Sequence, residues 1–166
     1  SGGSRNIFSV EYISGSTVLI GEYLTLWDYS SMTAPHRTSA KSGTNFRLVK
    51  CISSAQCYAT DDGGSNAVIY NINSGNFLGG QDAITSTTAI SGQPCRGLSV
   101  FPAFNMYVVC GTTSCRFFDV ANVNTFNSLT LSGCSNCVSA AGGTSAFWNG
   151  MAVTCASPAK LMFYNV

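Results

Sequence analysis

Apolar and polar residues alternate along this chain in short runs that are broken by Gly, Ser, Asn and Asp. Runs rich in Val, Ile, Tyr and Phe between such turn residues are typical of β-strands joined by hairpins. No stretch carries the 3.6-residue period of an amphipathic helix. The pattern therefore predicts an all-β chain that is nearly free of helix.

One short motif, an aromatic residue followed by Asp or Asn, recurs at the end of a strand-like run. It occurs four times, 43, 48 and 46 residues apart, as Trp27-Asp28, Tyr70-Asn71, Phe118-Asp119 and Tyr164-Asn165. A regular spacing of roughly 40–50 residues, with several short strands per repeat, is the signature of a repeat architecture. We predict a single domain over 1–166, built from repeats at approximately 6–42, 46–88, 95–132 and 137–166.

The last repeat differs from the others because it stops at Val166, directly after its third predicted strand. Each earlier repeat is followed by residues that suit a fourth strand. A repeat without its fourth strand exposes an edge that another strand can complete. We therefore expect either a piece of a longer array or a chain that assembles through its edges.

Two of the repeats resemble the WD40 and YVTN class of β-propeller repeats. Trp27-Asp28 stands where a WD-type blade ends its third strand. Tyr58-Ala59-Thr60-Asp61, followed by the segment 65–71, is similar to the second and third strands of a YVTN repeat. The resemblance implies a β-propeller-type array of about four blades, the last one lacking its outer strand. It implies no particular activity, because propellers serve as enzymes, receptors and scaffolds alike. The Gly-His pair of WD40 blades is absent, so that family's buried His–Asp network is not carried over.

Charge narrows the partners that we expect. Charged residues make up 9% of the chain, against about 25% in an average globular protein. The net charge is +1. The Lys and Arg residues are scattered, so we predict no nucleic-acid interface. No apolar run approaches the ~18 residues that would span a bilayer, so we expect no membrane insertion.

The eight cysteines indicate an oxidising compartment, and we predict a secreted, extracellular protein. Placing strand starts beside strand ends predicts four disulfides: Cys51–Cys57, Cys95–Cys110, Cys115–Cys134 and Cys137–Cys155. A rival set, which joins Cys110 with Cys115 and Cys134 with Cys137, stays open at this point. A single C-x-x-C and a single histidine make a zinc site improbable, so we predict no metal and no cofactor.

The polar residues do not form a recognisable catalytic set. We interpret Asp28 and Asp119 as strand-ending caps, and 61–64 as a hairpin turn in preference to a calcium loop. His36 is interpreted as a histidine of a surface loop. No G-x-S-x-G, P-loop or H-E-x-x-H motif occurs, so we predict a protein that is not an enzyme.

Three functions are compatible with these observations. The first is a non-catalytic structural module whose copies assemble into an extracellular filament or surface coat. The second is a lectin-like or adhesive propeller that binds glycans, with Trp148 as the candidate exposed contact while the repeat aromatics pack between blades. The third is part of an enzyme whose catalytic residues lie outside these 166 positions. Ser/Thr-rich segments such as 85–88 are candidates for O-glycosylation.

Overall fold

The structure is a computed structural model, and all structural statements below concern the residues that it describes. These are 10–14, 17–20, 25–28, 36–39, 46–61, 64–73, 84–122, 126–144 and 149–165. They form fifteen strands and one short 3-10 turn, Pro102–Phe104. The chain is all-β, as predicted. Within these ranges, no helix is long and apolar enough to cross a membrane.

The strands follow one another as four meanders, in which strands adjacent in the chain lie side by side. The first meander contains β1 (Val10–Ser14), β2 (Thr17–Ile20), β3 (Thr25–Asp28) and β4 (His36–Ser39). The second contains β5 (Phe46–Ser53), β6 (Gln56–Asp61), β7 (Ala67–Asn73) and β8 (Thr85–Ile90). The third contains β9 (Gly97–Phe101), β10 (Met106–Cys110), β11 (Ser114–Asp119) and β12 (Phe126–Thr130). The fourth contains β13 (Asn136–Thr144), β14 (Asn149–Ser157) and β15 (Ala159–Asn165).

The aromatic–Asp/Asn motif falls in the third strand of every meander, as the sequence predicts. The motif ends β3, β11 and β15, whereas β7 continues two residues beyond Asn71 to Asn73. His36, predicted in a loop, is instead the first residue of β4. The fourth strand of this meander therefore begins one residue earlier than the sequence indicated, and the loop assignment of His36 was wrong by that residue.

The third and fourth meanders share one sheet of seven strands, in the order β12-β11-β10-β9-β13-β14-β15. They meet through a short parallel contact between β9 and β13, at Gly97 and Ala140. A Cβ on Gly97 would lie 2.5 Å from the carbonyl oxygen of Ala140, closer than real Cβ atoms approach. This glycine is therefore what allows the two meanders to approach so closely.

The chain divides into two compact units, and the first comprises 1–62 and 69–87. Its core contains Phe46, Val49 and Ile72, with the rings of Phe46 and Tyr70 packed edge to face at 4.9 Å. β1 is attached to β5 through Glu11, which accepts hydrogen bonds from Lys50 Nζ at 3.0 Å and from the Cys51 amide at 3.4 Å. The first strands of the first two meanders are thus neighbours.

The second compact unit comprises 63–68 and 88–166, and its core lies between the third and fourth meanders. Phe101, Val108 and Leu131 of the third meander pack there with Met151 and Val153 of the fourth. Because side chains alternate between the two faces of a strand, this core uses only one face of the fourth meander.

Candidate functional site

The fourth meander presents an apolar outer face, which we define by Ala141, Ala152, Thr154, Leu161 and Phe163. Strand register places these side chains on one surface: Ala141 lies opposite Ala152 on the neighbouring strand, Ala152 opposite Phe163, and Thr154 opposite Leu161. Leu161 is 55% exposed and Phe163 is 66% exposed. The two large apolar side chains therefore stand on a shallow floor of small residues.

β15, which carries Leu161 and Phe163, is also the terminal strand of the seven-stranded sheet. Its middle residues, Leu161-Met162-Phe163-Tyr164, are apolar or aromatic at every position. Met162 and Tyr164 face inward and pack against the core, which leaves Leu161 and Phe163 on the outer face. A strand that is apolar on both faces is typical of one that is covered on both sides. This was the sequence signal for the outer face, and the motif analysis missed it.

The opposite end of the chain presents a second apolar surface. On β1, Val10 is 55% exposed and Tyr12 is 64% exposed. Glu11, between them, turns the other way and forms the ion pair with Lys50. Of the six large apolar side chains that are strongly exposed in the described residues, five therefore belong to the first and fourth meanders: Val10, Tyr12, Val138, Leu161 and Phe163.

The sixth exposed apolar residue, Phe104, lines a surface cavity of about 380 Å³. Met106, Phe117 and Asn127 complete its lining. The cavity has the size of a small-ligand site, and it combines two aromatic rings with one amide group.

The residues singled out in the sequence are distributed over the fold. Asp119 acts as a cap, as predicted, because its Oδ1 accepts a hydrogen bond from the Ala121 amide at 2.7 Å. Phe118 is buried, and Tyr70 and Tyr164 are half-buried. Trp148 lies outside the described residues, as do the side chains of Trp27, Asp28 and His36. Among the described residues, no three His, Cys, Asp or Glu side chains come together as a metal-binding group.

The described residues contain three disulfides, and one of them is a predicted pair. Cys51 bonds Cys57, directly opposite it in the β5–β6 register, with a Cα–Cα distance of 3.9 Å. Cys110 bonds Cys115 at 4.0 Å, so the predicted pair Cys95–Cys110 was wrong and this member of the rival set is present. The reason is register, because Cys110 lies opposite Cys115 on β11 and opposite Gly97 on β9, whereas Cys95 precedes β9.

The remaining pairs were also predicted incorrectly. Cys134, in the turn before β13, bonds Cys155 with a Cα–Cα distance of 5.7 Å. This replaces both predicted pairs, Cys115–Cys134 and Cys137–Cys155, and the rival pair Cys134–Cys137. Cys137 lies opposite Cys155 in the β13–β14 register, but it stays a thiol because Cys155 is already bonded to Cys134. Cys95 and Cys137 are both buried and lie outside the disulfides.

Burial raises the pKa of several groups in the second compact unit. It raises the pKa of the Cys137 thiol, an effect that the nearby positive charge of Arg96 opposes. Burial also raises the pKa of Tyr164, and the negative charge that Cys137 acquires on ionisation adds to that rise. Tyr107 is almost fully buried, and desolvation raises its pKa to about 12.

Comparison with known proteins supports the fold and no more. No protein-family model matches the chain, and no curated protein matches it in sequence. Among solved structures, the chain is similar to PorZ of Porphyromonas gingivalis, described as an essential bacterial surface component of the type-IX secretion system. The TM-score is 0.59 at 9% sequence identity, over 97% of this chain and 20% of PorZ. The chain thus spans about one fifth of that protein's length.

Proposed function

We propose that this chain is a non-catalytic structural module of the cell exterior, whose copies associate end to end into a filament or surface coat. The observation that carries the proposal is the position of the exposed apolar side chains, on β1 at one end of the chain and on the outer face at the other. Apolar patches on soluble proteins commonly mark sites of protein association. The partner that we propose for each patch is the opposite patch on a second copy.

The finer architecture that we propose is a β-propeller-type array of four blades, one per meander. Two contacts support it, and both join the first strands of consecutive meanders. Glu11 of β1 bonds to Lys50 and Cys51 of β5, and β9 pairs with β13 at Gly97 and Ala140. In a propeller the blades are arranged around a common centre, so that strands of the same rank become neighbours. In this arrangement the outer face of the fourth meander is where a further blade would pack.

The expected energetics favour association through these patches. Burying one large apolar side chain completely contributes roughly 1.5–3 kcal/mol, and four such residues would be covered at each contact: Val10, Tyr12, Leu161 and Phe163. Part of this is offset by the loss of translational and rotational freedom on binding. Because the two patches differ, each contact is head to tail, and such contacts produce open filaments or closed rings.

An extracellular location agrees with the cysteine chemistry. Disulfides form and persist in oxidising surroundings and are rare in reducing ones, and the described residues contain three. PorZ, which is similar in fold, is itself a bacterial surface component, and we propose the same exterior location for this chain.

The decisive experiment is sedimentation velocity of the oxidised protein over a concentration series, with negative-stain microscopy of the same samples. We expect self-association that either Phe163→Lys or Tyr12→Lys abolishes, because each substitution places a charge in one patch. Phe104→Lys is the matched control, since Phe104 is exposed but belongs to neither patch. A wild-type protein that stays monomeric at millimolar concentration would overturn the proposal.

Mixing the two lysine variants tests whether the contact joins unlike patches. The Phe163→Lys protein keeps an intact β1 patch, and the Tyr12→Lys protein keeps an intact outer face. We therefore expect each variant alone to be monomeric and their equimolar mixture to form dimers that grow no further. Self-association of either variant alone would show that the contact joins like patches.

A second function, glycan binding by a lectin-like or adhesive module, is favoured by the cavity beside Phe104. Its aromatic rings, Phe104 and Phe117, would stack on the apolar face of a sugar, and Asn127 would exchange hydrogen bonds with hydroxyl groups. A glycan array would show saturable binding that Phe117→Ala removes and that Phe163→Lys leaves unchanged. Binding that depended on Trp148 alone would place the glycan site elsewhere.

A further inference from the structure

Three cysteines in and next to the fourth meander share a single disulfide, so one of them stays a thiol. Cys134 and Cys137 belong to the C-x-x-C segment, and Cys155 lies on the neighbouring strand. Cys155 is bonded to Cys134, although Cys137 is the residue directly opposite it in the β13–β14 register. All three side chains belong to one buried cluster. A thiol thus lies in the same buried cluster as a disulfide that contains its own cross-strand neighbour.

The protein already contains two disulfides between cysteines that are directly opposite each other, which is the placement of Cys137 and Cys155. Cys51 and Cys57, like Cys110 and Cys115, are directly opposite each other on antiparallel strands. Their Cα–Cα distances are 3.9 and 4.0 Å. Cys137 and Cys155 are also directly opposite each other, on β13 and β14, but they lie between two register shifts at the end of the strand pair far from its turn, whereas Cys51 and Cys57 lie beside theirs. Cys155 therefore has two partners within reach.

We propose that Cys134, Cys137 and Cys155 form a thiol–disulfide exchange site, which releases Cys134, 4% exposed in the disulfide, as a reactive thiol lining a surface cleft. The Cys137 thiolate attacks Sγ of Cys155, the Cys137–Cys155 bond forms and the Cys134–Cys155 bond breaks. Cys134 leaves as a thiolate and takes up a proton equivalent to the one that Cys137 released. The step consumes no oxidant or reductant, because one disulfide and one thiol are present before and after it.

The surroundings of Cys134 suit a leaving and reacting thiolate. Cys134 lines a surface cleft of about 300 Å³, together with Gly133, Ser135, Ser157 and Pro158. Lys160 Nζ lies at this cleft, 2.8 Å from the position that a Cβ on Gly133 would occupy. A nearby ammonium group stabilises a thiolate, and a thiol of lower pKa leaves faster in the exchange. The released Cys134 would be open to small thiol-reactive compounds and small disulfides.

Cys137 is a slow nucleophile in the exchange, because burial raises the pKa of its thiol and so lowers the fraction present as thiolate. Three charged or titratable groups face the site: Arg96 before β9, whose charge opposes that rise, and Lys160 and Tyr164 on β15. Below the pKa of Cys137, the thiolate fraction increases about tenfold with each pH unit. We therefore expect exchange to be about 100-fold faster at pH 8.5 than at pH 6.5.

The test is time-resolved labelling of the native, non-reduced chain with N-ethylmaleimide, followed by peptide mapping with fragmentation between residues 134 and 137. We expect the maleimide on Cys134, the bond Cys137–Cys155 in the labelled product, and the pH dependence given above. Labelling of Cys137 with the Cys134–Cys155 bond intact would overturn the proposal. A native chain that takes up no maleimide on Cys134 at pH 8.5 would overturn it equally.

Four variants test whether exchange is the route to a labelled Cys134. Cys137→Ala removes the attacking thiol, so Cys134 labelling must be lost, and persistent labelling would contradict the mechanism. Cys134→Ala leaves Cys137 and Cys155, which must then be recovered as a disulfide after oxidative folding. Lys160→Met should slow labelling without changing its site. Cys95→Ala is the control that should change neither the rate nor the labelled residue.

Discussion

The third and fourth meanders each carry a phenylalanine on the face that points away from their shared core, and the two rings differ in exposure. Cys110 lies opposite Cys115 in the third meander, and Cys155 lies opposite Lys160 in the fourth, so aligning Cys110 with Cys155 offsets both strands by 45 residues. In this alignment Phe118 corresponds to Phe163. Phe118 is 3% exposed, whereas Phe163 is 66% exposed. The same residue type on the corresponding face is core in one meander and surface in the other.

The difference arises from the residues across the strand and above the face. Opposite Phe118 is Tyr107, whose ring stacks on it at 4.9 Å, whereas Ala152 lies opposite Phe163. The outward face of the third meander is buried, and Arg116 on it donates a hydrogen bond to the Ala89 carbonyl at 2.9 Å. The strand pattern decides which positions are apolar. Whether an apolar position is buried depends on an element that covers it. The outer face of the fourth meander has the apolar side chains of a covered face, yet it is exposed.

The largest effect that we expect separates these two phenylalanines. Phe118→Ala removes a buried, stacked ring and should destabilise the fold by about 3–5 kcal/mol. Phe163→Ala removes an exposed ring and should change the free energy of unfolding by less than about 0.5 kcal/mol. Guanidinium denaturation of the two variants at low protein concentration measures both values. Equal losses would show that the outer face is covered within the monomer.

The next effect concerns Tyr107, which has no counterpart in the fourth meander because Ala152 stands in its place. Desolvation raises its pKa to about 12 in the folded protein, against about 10 in an unfolded chain. The neutral ring is therefore favoured in the folded state. Its contribution is complete below pH 10 and is lost as the pH rises from about 10 to 12, by about 2–3 kcal/mol in total.

Stability measured at pH 9.5 and 11.5 checks this contribution. Tyr107→Phe cannot ionise, so its stability should fall by about 1.5–2 kcal/mol less than that of the wild type over this range. Tyr12→Phe, at an exposed position, is the control and should follow the wild-type curve. If Tyr107→Phe also follows that curve, burial does not raise the pKa of Tyr107.

The strand pattern of this fold could be predicted from the sequence, because turn residues and apolar alternation act locally. The equivalence of residues between repeats could not be predicted in the same way. The aromatic–Asp/Asn motif aligns Phe118 with Tyr164 and the cysteines align it with Phe163; the strand register fits both, and the two alignments place the residue on opposite faces of the sheet. The predicted disulfide pairing failed for a similar reason, because Cys155 has two candidate partners: Cys134, to which it is bonded, and Cys137, which lies opposite it. The outer face required knowledge of which strands are covered, and that is a property of the assembled sheet.

A smaller effect tests the junction between the two meanders. Gly97→Ala would bring a Cβ within 2.5 Å of the Ala140 carbonyl oxygen and 2.7 Å of its Cβ, so β9 and β13 must separate. We expect a loss of about 1–3 kcal/mol, which is typical of overpacking. Gly143→Ala, also on β13, is the matched control because a Cβ there has nothing within 4 Å. Similar melting temperatures for the two variants would show that the junction opens at no cost.

The smallest effect distinguishes the motif alignment from the cysteine alignment of the two meanders. Asp119 closes β11 and caps the turn by accepting the Ala121 amide hydrogen bond at 2.7 Å. Removing an exposed cap of this kind costs about 0.5–1 kcal/mol, so Asp119→Ala should lower stability by that amount. Asn165 is the motif's counterpart in the fourth meander, whereas the alignment of Cys110 with Cys155 makes Tyr164 the residue that corresponds to Asp119. If the cysteine alignment holds, Asn165→Ala should leave the denaturation midpoint unchanged; a loss equal to that of Asp119→Ala would mean that the motif carries the cap by itself.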